Sequence, residues 1–153
     1  MSVRARVVLF ALLSLLVTGF IFSNSLRSRS DSKAQSDVLA DAVESAVFQD
    51  GEVGEELEKR ISLLVRKAAH FVEFAGLGLC LGGLAAALER LRGYPVWGWM
   101  LFASLLVGVL DELIQSFTGR HSAVGDVLLD FSGALFGLLA VWMLARLRRK
   151  KEG

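Results

Sequence analysis

Apolar residues fall into four runs, separated by stretches that carry most of the charge. The first run extends from Val7 to about Leu26 and contains no charged residue. The second extends from about Ala68 to Leu88, with His70 and Glu73 near its start. The third covers about Tyr94 to Leu110, and the fourth about Val127 to Ala145, with Asp130 near its start. A helix needs about 20 mostly apolar residues to cross about 30 Å of hydrocarbon. Each run meets or approaches that length. The period-two alternation and turn spacing of a barrel are missing. The pattern predicts an all-α integral membrane protein, a four transmembrane helix bundle forming a single domain over 1–153.

The stretch from Arg27 to Lys67 has its own character. Ser23, Ser25, Ser28, Ser30, Ser32 and Ser36 make a polar, serine-rich entry to it. Val38, Leu39, Ala42, Val43, Ala46 and Val47 then recur at helical spacing, and so do Val53, Leu57, Ile61, Leu64 and Val65. Gly51 and Gly54 separate the two sets. Two short amphipathic helices are expected between spans one and two, lying at the interface or capping the bundle. A mostly solvated loop is the plainer alternative. The first run also competes with a cleaved signal peptide, because Arg4 and Arg6 precede it and Ser23-Asn24-Ser25 follows it. Its length and its poor match to the A-x-A cleavage pattern favour an anchor.

Composition agrees with the membrane reading. The hydrophobic fraction is 54% and mean hydropathy is +0.52, which excludes an ordinary soluble domain. A formal net charge of +1 provides no field to attract nucleic acid, so no nucleic-acid partner is expected. Cys80 is the only cysteine and permits no internal disulfide or thiolate cluster. Orientation follows from where Lys and Arg cluster. Arg4 and Arg6 precede span one, Arg90 and Arg92 lie between spans two and three, and Arg146, Arg148, Arg149, Lys150 and Lys151 follow span four. Four spans put all three groups on one side, which the positive-inside rule makes cytoplasmic, with both termini there. The long loop opposes this with seven basic residues, mixed there with nine acids.

With that topology, the intramembrane polar residues fall in one leaflet, the extracytoplasmic one. Span two opens with Lys67, His70 and Glu73. Span three ends at Asp111, Glu112 and Gln115. Span four opens with Asp126 and Asp130, Arg120 and His121 lie in the preceding connection, and span one closes with Ser23, Asn24 and Ser25. Lys67, His70 and Phe74 share a helix face; Asp111 and Gln115 are spaced i, i+4, as are Asp126 and Asp130. A carboxylate at the bilayer centre costs about 2.5–3.5 kcal/mol on the lenient insertion scale. Charges nearer the interface cost less, yet five acids need partners. Snorkelling and helix capping explain single residues of this kind; a set converging from several helices more often marks function. One histidine with scattered carboxylates lacks the dense ligand spacing of a zinc site. No metal and no cofactor is therefore expected, although carboxylate oxygens suit a hard cation. Gly78-x-x-x-Gly82 and Gly133-x-x-x-Gly137 read as close-packing faces. Trp97, Trp99 and Trp142 suit an interfacial belt.

Several motifs together resemble the VanZ-like membrane family: Arg66-Lys67-Ala68-Ala69-His70-Phe71-Val72-Glu73-Phe74, Asp111-Glu112-Leu113-Ile114-Gln115-Ser116-Phe117, Gly119-Arg120, Asp126, Asp130 and Gly133. Ile21-Phe22-Ser23-Asn24-Ser25 and Gln35-Ser36 add to it, so the resemblance covers about Phe20 to Gly137. It implies a single VanZ-like domain in a small protein of the bacterial cell envelope, in the cytoplasmic (inner) membrane. The family takes its name from an accessory protein of teicoplanin resistance. Its pattern points to Lys67, His70, Asp111, Glu112, Gln115, Arg120, Asp126 and Asp130. Phe74 stands where a tyrosine is expected and Thr118 where a proline is common.

The expected function is therefore the modification or binding of an envelope lipid or peptidoglycan-related ligand at the polar cluster, with membrane lipids around it. His70, Asp111 and Glu112 are the candidate catalytic groups for acid–base chemistry. Lys67, Gln115, Arg120, Asp126, Asp130 and Glu73 are the candidate ligand-binding residues. The alternatives are a non-catalytic binding or structural bundle and a small transporter. The transporter is disfavoured because the other halves of the spans are nearly devoid of polar residues.

Overall fold

A computed structural model describes residues 1–26, 38, 55–118 and 123–152. It contains four long helices: α1 (Val3–Ser25), α2 (Glu55–Arg92), α3 (Trp97–Phe117) and α4 (Val124–Glu152). Each is long and apolar enough to cross a membrane, and no strand occurs among the described residues. Hydrocarbon offers no water to backbone N–H and C=O groups, so a spanning segment must satisfy them internally, as helices do. Hydroxyls within the helices are handled the same way. Ser14 donates to the Phe10 carbonyl at 2.8 Å and Ser104 to that of Leu101 at 2.8 Å.

Sequence signals account for several helix ends. Ser2 caps α1 by accepting from the Ala5 N–H at 3.2 Å. Gly93 adopts a φ of 78° after α2, and its N–H bonds the Glu89 carbonyl at 2.9 Å. That left-handed position suits glycine and stops the helix. The connection to α3 contains Pro95, the only proline. The helices extend past the apolar runs. Charge ends an apolar run but does not end a helix whose terminus emerges at the interface.

The largest difference from the sequence expectation is at α2. Its 38 residues span roughly 57 Å at 1.5 Å per residue, nearly twice the hydrocarbon thickness. Leu57, Ile61, Leu64 and Val65, expected in a separate amphipathic helix, belong to the first turns of α2. The reason is local: no Gly or Pro interrupts the chain between Gly54 and Gly76. The other expected amphipathic helix, beginning at Val38, falls outside the described residues apart from Val38 itself.

α2 packs most extensively against α4, then against α1. The α2–α4 seam is built from glycines. A Cβ at Gly133 would collide with the Phe71 carbonyl, one at Gly137 with the Ala75 carbonyl, and one at Gly78 with the Ala134 carbonyl. Backbone therefore lies on backbone, which only a missing side chain permits. A Cβ at Gly83 would strike the Phe10 ring of α1. Ile21, Phe74, Leu77, Leu81, Ala134 and Leu138 fill the core between the helices. Outward-facing side chains such as Leu15, Leu16, Phe102, Leu128 and Phe136 stay exposed, as lipid contact requires. Trp97 donates to Glu89 at 3.0 Å and Arg146 stacks 4.9 Å over the Trp142 ring. These contacts lie at the end of the bundle where Val3, Arg6, Arg90 and Arg148 line one cleft of about 170 Å³.

The glycine seam makes a specific prediction. Gly133→Val should lower stability by about 1–3 kcal/mol or more, because neither backbone can yield without separating α2 from α4. Gly125→Ala, where nothing lies within 4 Å of an added Cβ, should be close to neutral. Thermal unfolding in detergent checks the pair; equal effects would contradict the packing.

Candidate functional site

The opposite end of the bundle holds the polar cluster, and all four helices contribute to it. α1 supplies Asn24 and Ser25 on its last turn. α2 supplies Lys67, His70 and Glu73. α3 supplies Asp111, Glu112 and Gln115, and α4 supplies Asp126 and Asp130.

Asp111 is the most enclosed member, with no exposed surface. Its Oδ1 accepts from the Ser25 hydroxyl at 2.5 Å and its Oδ2 from the Gln115 side-chain amide at 2.7 Å. The second bond follows from i, i+4 spacing on one helix; the first joins residues far apart in sequence. Thr118 reinforces the α1–α3 join by donating to the Ser25 carbonyl at 3.3 Å. A buried carboxylate costs several kcal/mol unless its lone pairs are occupied. Ser25 and Gln115 meet part of that requirement.

His70 faces Asp111 and Asp130 together. Its Nδ1 lies 4.0 Å from Asp111 Oδ2 and 3.8 Å from Asp130 Oδ1. The His70 side chain retains 16% exposure, so it forms the accessible edge of an otherwise enclosed trio. Asp130 is 1% exposed, and its Oδ2 accepts no hydrogen bond from any described residue. The glycine seam sets this arrangement. Gly133 rests on the carbonyl of Phe71, the residue after His70, and Asp130 lies three residues before Gly133.

The remaining members sit around this trio. Lys67 Nζ bonds Asp126 Oδ1 at 3.2 Å, a partly exposed pair between α2 and α4. A pair that wet adds about 0–1 kcal/mol to stability. Asn24 donates to Glu73 Oε1 at 2.9 Å and ties α1 to α2. Glu112 Oε2 accepts from the Ala123 backbone N–H at 3.2 Å, so it fixes the approach to α4. Its neighbour Asp111 thus belongs to the trio, while Glu112 holds the residue before α4. Phe74, in place of an expected tyrosine, is fully buried beside Gly108 in the core.

Most residues expected at the site therefore converge: Lys67, His70, Glu73, Asp111, Glu112, Gln115, Asp126 and Asp130. Arg120 and His121 lie outside the described residues. Sequence reasoning noted Asn24 and Ser25 as the polar end of span one but did not place them among the site residues. The signal was there, since a Ser-Asn-Ser cluster closes a run without charge. Thr118 was noted only as standing where a proline is common in the family, and a lone threonine after a helix carries no pattern that would place it at the site.

The VanZ/LLP1 family model matches residues 9–146. No curated protein and no solved structure matches the chain. The matched stretch starts within α1, ends within α4 and takes in every described member of the polar cluster. A match over nine-tenths of the length makes the conclusion direct: the chain belongs to the VanZ/LLP1 family.

Proposed function

We propose that the polar cluster is the ligand site of a cell-envelope protein, opening toward the extracytoplasmic side of the bacterial cytoplasmic membrane. Its ligand is an envelope lipid or a peptidoglycan-related molecule. One observation carries this reading: four helices deliver polar side chains to a single point, where two carboxylates are at most 1% exposed. A bundle needing only stability has cheaper ways to pack, because replacing buried ions with apolar side chains is often neutral or stabilising.

The roles divide by exposure and partners. His70 is the proton-transfer group, since its side chain is partly accessible and lies beside two carboxylates. Asp111, 4.0 Å away and held by Ser25 and Gln115, keeps a fixed carboxylate beside it. Glu112 positions the α3–α4 connection. Lys67, at the exposed rim with Asp126, and Arg120 hold an anionic group of the ligand.

Expression in a teicoplanin-sensitive Gram-positive host tests the assignment. The native chain should raise tolerance. A His70→Ala, Asp111→Asn double variant that reaches the membrane in equal amount should not. Equal tolerance from both chains would contradict a role for the cluster. No tolerance from either would remove the glycopeptide link for this member.

The orientation has its own test. Arg6, Arg90 and Arg148 line one cleft at the end away from the cluster, where the positive-inside rule expects the cytoplasm. A C-terminal green fluorescent protein fusion should fluoresce in cells, and a C-terminal alkaline phosphatase fusion should stay inactive. The reverse pair of results would invert the topology and put the cluster on the cytoplasmic side.

A further inference from the structure

We propose that His70, Asp111 and Asp130 form a binding site for a divalent transition-metal cation of the zinc or manganese type. The inference stands on the geometry of the cluster, independently of the envelope ligand.

One donor atom from each of the three side chains lies within 4.8 Å of the other two. The donors come from α2, α3 and α4, so tertiary packing brings them together. The separations are informative. His70 Nδ1 stands 4.0 Å from Asp111 Oδ2 and 3.8 Å from Asp130 Oδ1. A direct nitrogen–oxygen hydrogen bond spans about 2.7–3.2 Å, so both contacts are too long for one. Two ligands of a shared tetrahedral ion, each about 2.0–2.2 Å from it, stand roughly 3.3–3.6 Å apart, so 3.8 and 4.0 Å require a contraction of a few tenths of an ångström on binding.

Burial supplies the second, independent observation. Asp130 is 1% exposed, and its Oδ2 accepts no hydrogen bond from any described residue. Asp111 beside it is fully buried. Two carboxylates enclosed at such short range repel, and a dication between them neutralises both. The surroundings are also those of a metal site. Ser25 and Gln115 bond Asp111 and fix its carboxylate, as outer-shell partners orient metal ligands.

The donor set selects the ion. An imidazole nitrogen with two carboxylate oxygens suits zinc or manganese, whereas magnesium and calcium favour oxygen alone. Three protein ligands leave at least one coordination position for water or for an oxygen of a bound molecule. His70 forms the accessible edge of the trio, and the Lys67–Asp126 pair is also partly exposed.

The test uses the full chain, purified in lipid nanodiscs and stripped with a chelator. Zn²⁺ and Mn²⁺ are titrated separately by calorimetry, with Mg²⁺ as the comparison. One saturable site per chain is expected for Zn²⁺ or Mn²⁺. His70→Gln and Asp130→Asn should each abolish it or weaken it by more than tenfold, and Ser25→Ala should weaken it by about tenfold. Pulsed electron paramagnetic resonance on the native chain with Mn²⁺ should detect one coordinated imidazole nitrogen, a readout independent of whether any variant folds. The proposal is overturned if neither ion saturates a site, if either ligand substitution leaves binding unchanged, or if bound Mn²⁺ shows no nitrogen coupling. Because these measurements need no host cell, a failed susceptibility experiment leaves them interpretable.

Discussion

The contact on which the structure most depends is the backbone approach of α2 to α4. Phe71, Ala75 and Ala134 present carbonyls directly to Gly133, Gly137 and Gly78. Lipid tails are as apolar as leucine, so burying leucines between helices gains little in a membrane. Close packing has to supply the association, and glycine allows the closest. The same contact sets the chemistry. His70 precedes Phe71, and Asp130 lies one helical turn before Gly133, so the seam that joins the helices also brings imidazole and carboxylate face to face.

From that seam outward, the cluster is assembled by side chains that each join two elements. Ser25 and Thr118 link α1 to α3, Asn24 and Glu73 link α1 to α2, Lys67 and Asp126 link α2 to α4, and Glu112 holds the residue before α4. The charges are graded by burial. Lys67 and Asp126 share a wet rim, whereas Asp111 and Asp130 are enclosed. Enclosed carboxylates cost more than rim pairs return. They sit at one end of the bundle, with apolar side chains filling the core beside them, and this cost is the reason for proposing a site there.

Much of this was legible in the sequence, for reasons that apply to membrane chains in particular. A lipid solvent forces helices, so four apolar runs mean four spans. Antiparallel threading then fixes which ends meet, and that alone gathers Lys67, His70, Asp111, Asp126 and Asp130. The two glycine repeats identified the contact faces of α2 and α4. Other features depended on geometry that spacing does not encode. Nothing in the sequence distinguishes the buried Asp111, bonded to Ser25, from its neighbour Glu112, bonded to a backbone N–H. Sequence spacing, on which the expectation of no metal was based, also does not report that His70, Asp111 and Asp130, far apart along the chain, meet through packing. The continuation of α2 back to Glu55 was missed because charge was read as the end of a span, when it ends only the apolar run.

The four helix ends form one coupled polar unit around Asp111. A double-mutant cycle on Ser25→Ala and Asp111→Asn, read by equilibrium unfolding in a lipid-like environment, tests it most directly. The two residues lie on α1 and α3 and touch through a 2.5 Å hydrogen bond. A coupling energy of about 1 kcal/mol or more is predicted. Additivity within about 0.3–0.5 kcal/mol, the behaviour of independent sites, would mean that α1 does not close onto Asp111 and would contradict the account.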